Sequence, residues 1–60
     1  MDFCKAVVTE KVSGLVVFQT KQCTGHYTNI FGEEVIQIGT LQKMVYDPRD
    51  YWISFYAVRG

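Results

Sequence analysis

The sequence predicts an all-β protein, five to six short antiparallel strands closing or half-closing into a small barrel. Three observations lead there. The first is Tyr51–Val58, read YWISFYAV, in which Tyr51, Trp52, Phe55 and Tyr56 are aromatic and Ile53 and Val58 are β-branched. Such side chains suit a pleated, packed surface and lose rotamer freedom in a helix. The second is a series of short alternating runs upstream of it. The third is the punctuation between those runs: Ser13-Gly14, Gly32, Gly39-Thr40 and Asp47-Pro48 all favour turns.

Taken in order, Cys4–Glu10 places Cys4, Ala6 and Val8 on one face and Lys5, Val7 and Thr9 on the other, a first strand. Lys11–Gly14 supplies a turn. Leu15–Thr20 is a second strand, forming a hairpin with the first. Lys21–Gly25 is polar and reads as a loop, after which His26–Phe31 resumes strand character. Gly32-Glu33-Glu34 is a further break.

Val35–Tyr46 admits two readings. Val35, Ile38, Leu41 and Val45 recur at helical spacing, and Glu33 and Glu34 suit a helix N-terminus. That reading gives an α+β alternative, an antiparallel sheet with one helix near residues 33–46. Against it, Gly39 falls mid-helix, at about 1 kcal/mol relative to Ala. The preferred reading is two strands, Val35–Ile38 and Leu41–Tyr46, turning at Gly39-Thr40. Asp47-Pro48-Arg49-Asp50 matches a type I turn. It would join Leu41–Tyr46 to Tyr51–Val58 as an antiparallel hairpin. Tyr51–Val58 is apolar on both faces, which predicts a central strand or a barrel wall covered on both sides.

Sixty residues allow one domain, residues 1–60. A chain this short buries only roughly 60% of its unfolded surface, so it needs dense packing, a staple or a partner. Six basic and six acidic residues cancel, which argues against a dedicated nucleic-acid binder, since phosphate neutralisation dominates such affinity. No apolar run reaches the roughly 18–20 residues that span a bilayer, and the start has no basic n-region followed by an apolar stretch. These features predict a cytoplasmic protein with Cys4 and Cys23 reduced. Strand number and spacing point to an SH3-like or OB-like barrel, and Gly32–Gly39 (GEEVIQIG) resembles the turn-plus-strand of many SH3-like barrels.

The candidate sites are few. Cys23-Thr24-Gly25-His26 has C-x-x-H spacing, but a structural zinc needs four ligands and only Cys4 remains to join them. The same pair could be a nucleophile and its base, without room for the rest of an active site. Glu33-Glu34 and Asp47/Asp50 read as solvated turn residues. No metal, cofactor or catalytic residue is therefore assigned, and the chain is expected not to be an enzyme. The aromatic residues say more. More large apolar side chains are present than so small a core can cover, which predicts an exposed patch and hence a partner or self-association. Trp52, Tyr56 and Tyr46 are the expected anchors, with Arg49 and Lys43 at the rim, because Trp, Tyr and Arg dominate interface hot spots. A protein partner is preferred and a homodimer is open. The alternative is a small nucleic-acid-binding barrel gathering Lys5, Lys21, Lys43, Arg49 and Arg59 on one side.

In size, short ends, cysteines expected to be reduced and lack of a catalytic motif, the chain resembles the small accessory proteins of temperate, lambda-like bacteriophages and prophages. That resemblance implies action by binding a host or phage protein, or sometimes DNA, in the host cytoplasm rather than by catalysis.

Overall fold

The computed structural model describes residues 3–58, all of them in strands, turns or short connections. Five strands form: β1 (Phe3–Glu10), β2 (Val16–Thr28), β3 (Glu34–Ile38), β4 (Gln42–Tyr46) and β5 (Tyr51–Val58). They make one open antiparallel sheet in the order β4-β3-β2-β1-β5. The all-β expectation therefore holds, and the helical alternative over residues 33–46 does not. Gly39, at φ +62°, occupies the left-handed conformation that reverses β3 into β4.

Side-chain alternation sorts the sheet into two faces. On the inner face, Ala6, Val8, Cys23 and Ile36 are fully buried, and Cys4, Phe18, Ile38, Met44, Tyr46, Tyr51, Ile53 and Phe55 pack around them. The sheet curls over this face. The rings of His26 (β2) and Phe55 (β5) stack 3.6 Å apart, nearly parallel at 7°. Tyr46 and Tyr51 come from the two opposite edge strands, yet meet edge-on at 5.2 Å.

Several sequence-based expectations change. The loop expected at Lys21–Gly25 is strand. β2 runs unbroken through it because the segment is paired on both sides, with Cys23 opposite Cys4 of β1 and Ile38 of β3. It bends there instead of stopping. Three register irregularities, at Cys4/Ala6, Val8/Thr9 and Cys23/Gly25, each place the extra residue in β2, and each such bulge adds bend and twist. The bend is held by the Thr24 hydroxyl, which donates to the carbonyl of Gly39 at 2.8 Å.

β5 is an edge strand, not a central one, and it forms no hairpin with β4. The Asp47–Asp50 turn leads from one edge of the sheet to the other. It is a tight turn as expected: the Asp47 carbonyl accepts from the N–H groups of Asp50 and Tyr51 at 3.0 and 3.1 Å. Beyond the turn, β5 pairs with β1, residue for residue from Phe3↔Val58 to Glu10↔Tyr51. The first strand offers a longer complementary edge than the five-residue β4 does.

The cysteines are not reduced. Cys4 and Cys23 are joined in a disulfide across the β1–β2 pair, their Cα atoms 4.9 Å apart. This is the staple that the small core calls for. Closing a loop of nineteen residues' separation restricts the unfolded chain by about 3 kcal/mol.

These contacts set the expected stability changes. Reducing the disulfide should lower the free energy of unfolding by about 3 kcal/mol, read as a shift in the urea midpoint with and without reductant. Ile36→Ala should cost about 2–5 kcal/mol by opening a cavity at the centre of the inner face. Ile30→Ala, at a side chain 93% exposed, should stay within about 0.5 kcal/mol.

Candidate interaction surface

The outer face of the sheet is built from the residues that alternate with the core. On β5 these are Trp52, Ser54 and Tyr56, all exposed, with Trp52 and Tyr56 each 56% accessible. Their register partners on β1 are Thr9, Val7 and Lys5. Beyond β1 the face continues onto β2, where Thr9 lies opposite Val16 and Val7 opposite Gln19. Val16 is exposed as well. Lys5, Gln19, Thr20 and Lys21 line a shallow depression at the other end of the same face. An apolar and aromatic band thus runs from β5 towards the start of β2, with two lysines at one corner.

Charge is segregated between the faces. Among the described residues, the carboxylates lie elsewhere. Glu10 sits opposite Tyr51 on the inner side of the register. Glu34 lies opposite Tyr46, with its carboxylate 3.9 Å from His26 Nδ1 and accepting from the Thr28 hydroxyl. Glu33, Asp47 and Asp50 are in turns. Lys5 and Lys43 both fall at outer-face register positions, Lys43 opposite Gln37.

The five expected partner-binding residues do not converge. Trp52 and Tyr56 share the outer face of β5, four residues apart on one side of the strand. Tyr46 points inward, where its ring packs against Phe18 at 6.1 Å and Tyr51 at 5.2 Å. Burial, and then the neighbouring Tyr51 phenol, raise the Tyr46 phenol above its ordinary range. Arg49 is in the turn and committed to Asp47: its guanidinium donates to both carboxylate oxygens, the closest approach being 2.9 Å. Those hydrogen bonds hold the Asp47 carboxyl below the usual carboxylate range. Lys43 lies on β4, at the opposite edge of the sheet from Trp52. Lys5 and Lys21 do lie on the aromatic side, whereas Lys11 is in a turn and donates from Nζ to the Pro48 carbonyl at 2.9 Å. Arg59 lies outside the described residues.

The pairing of Cys23 with His26 loses its thiol, since the sulfur of Cys23 is bonded to that of Cys4 and fully buried. His26 instead lines an open concavity with Thr28, Glu34, Pro48, Ile53 and Phe55. No protein-family model, curated protein or solved structure matches the chain.

The raised Tyr46 phenol gives a pH prediction. A group whose folded pKa exceeds its unfolded value of about 10 stabilises the fold below that pH. Stability should therefore fall as pH rises beyond about 10 and Tyr46 ionises more readily in the unfolded chain. A near-ultraviolet phenolate titration should show a late-ionising tyrosine, and Tyr46→Phe should remove that inflection while the others stay.

Proposed function

We propose that the protein is a non-enzymatic interaction module that docks onto another protein through the outer face of β5, β1 and the start of β2. Trp52 and Tyr56 are its anchors. The observation that carries this reading is their exposure: two large aromatic side chains stand more than half accessible on one face of a regular strand, with the exposed Val16 in the same register row as Trp52 across Thr9. Aromatic anchors of this kind supply most of the binding energy at protein interfaces. The scaffold beneath is proposed to be an SH3-like half-open barrel. The strand order and the Tyr46–Tyr51 contact between the two edge strands support that reading.

A second reading has its own support. The outer face offers Lys5 opposite Tyr56, with Lys21 beside it in the same depression, and its described residues include no carboxylate. Single-stranded nucleic acid is bound by this combination of stacking rings and cations. The zero net charge weighs against it, so it stands second.

Trp52 is the sole tryptophan of the chain, so its emission reports directly on the proposed surface. The test pairs affinity capture with fluorescence titration. Wild-type protein should retain a protein partner that Trp52→Ala and Tyr56→Ala each release, with both variants remaining folded by circular dichroism. Titration with a single-stranded oligonucleotide at low salt should leave Trp52 emission unchanged. Retention of the same partner by both variants would refute docking at this face. A salt-sensitive response to the oligonucleotide would establish the second reading instead.

A further inference from the structure

The two edges of the sheet are unlike. β4 is five residues long and carries Lys43, so it is short and charged, as strand edges usually are when association is avoided. β5 has eight residues, YWISFYAV, with no charge and no proline. It is paired with β1 in unbroken register, without a bulge to twist it away. None of the usual edge protections is present on it.

The direction of its backbone can be read from the turn. The N–H of Lys11 donates to the carbonyl of Asp50 at 3.0 Å, so Asp50 points towards β1. Antiparallel pairing alternates, so Trp52, Ser54 and Tyr56 also direct their backbone groups at β1. Ile53, Phe55 and Ala57 direct theirs to the free edge.

We infer that β5 pairs edge to edge with β5 of a second copy, in antiparallel register about a two-fold axis through Ser54. The parity permits this register, because residues with outward backbone groups then face one another: Ile53 opposite Phe55 of the second copy, and Phe55 opposite its Ile53. On the outer face each Trp52 stands opposite a Tyr56, and the small Ser54 side chains meet at the axis. Aromatic cross-strand pairs of this kind stabilise sheets. The strand has no charge of its own to repel its copy, and an isologous contact closes on itself. The result is one continuous ten-stranded sheet whose outer face carries four aromatic rings in a row. The inference rests on the edge of β5 and not on the proposed docking, so the two fail separately: association is measured on the protein alone.

Sedimentation velocity over a concentration series up to about 1 mM should show a reversible dimer of the 6.9 kDa chain. Ser54→Lys, at an exposed position, sets two ammonium groups face to face at the axis and should weaken the dimer by at least about tenfold. In Ser54→Cys the two thiols meet at a non-hydrogen-bonded pair, where Cα atoms approach to about 4.5 Å, within disulfide reach. Air oxidation should therefore link the copies covalently, and Ser13→Cys, in the β1–β2 turn, should not link them under the same conditions. A wild-type chain that stays monomeric throughout the series would overturn the inference. So would a dimer indifferent to Ser54→Lys, or equal cross-linking through residues 13 and 54.

Discussion

Everything in this fold depends on the bend in β2 and on Cys23 at its centre. One strand has to serve both halves of the sheet, pairing with β1 along its first half and with β3 along its second. Cys23 is where the two halves meet: fully buried, bonded to Cys4 on one side and in register with Ile38 on the other. The extra residues inserted in β2 supply the curvature, and the disulfide ties that curvature to the neighbouring strand. Without the bend the inner faces of β4 and β5 would lie far apart. With it, Tyr46 reaches Tyr51, His26 covers Phe55, and a single sheet encloses a core that would otherwise need a second layer.

The disulfide also changes the meaning of the composition. Sixty residues cannot bury enough apolar surface for ample stability, and the fully buried part of the inner face comes down to Ala6, Val8, Cys23 and Ile36. A covalent tie lets this sheet tolerate a small core. Such a bond persists where the surroundings are oxidising. The expectation of a reducing cytoplasm and the geometry of β1 and β2 therefore pull in opposite directions. In a reducing compartment the same two residues would remain a close thiol pair, in a fold weaker by the contribution of the tie.

Most of the strands are legible in the sequence because alternation and turn chemistry agree. Asp47-Pro48 marks a reversal by turn chemistry and Tyr51–Val58 is strand by side-chain type, whereas Val35–Ile38 carries both helical spacing and β-branched side chains, and the cost of Gly39 mid-helix tips it to strand. Pairing is not legible in the same way. Lys21–Gly25 is polar, with a glycine, and looks like a loop; it is strand because β1 and β3 both claim it, which no local signal reveals. Proximity in sequence suggests a β4–β5 hairpin, but the turn at Asp47 crosses between edges. The disulfide does leave a usable signal: an even cysteine count, with Cys4 in a strand antiparallel to one that could extend to Cys23. Reading residues 21–25 as a loop hides it. Of the surface residues, Trp52 and Tyr56 can be found because alternation in β5 is regular. Tyr46 cannot be placed the same way, because its face depends on the register with β3.

A single curled sheet has one inside. Half of the side chains on every strand must face out, whatever their chemistry, and nothing else in the described chain lies over them. The outward positions are mixed on every strand: Lys5 and Thr9 with Val7 on β1, Gln19 with Val16 and Tyr27 on β2, Gln37 with Val35 on β3, Lys43 with Val45 on β4. Tyr27, Val35 and Val45 lie in one register row and bury Val35 between them, whereas Trp52 and Tyr56 on β5 are the most accessible outward aromatic rings, each 56% exposed. Exposed aromatic rings add little to the stability of the protomer, since their apolar area stays in contact with water. Their contribution appears only when something covers them. The folding physics of this chain therefore accounts for Tyr51, Ile53 and Phe55, and it is Trp52 and Tyr56 that the proposed association would cover.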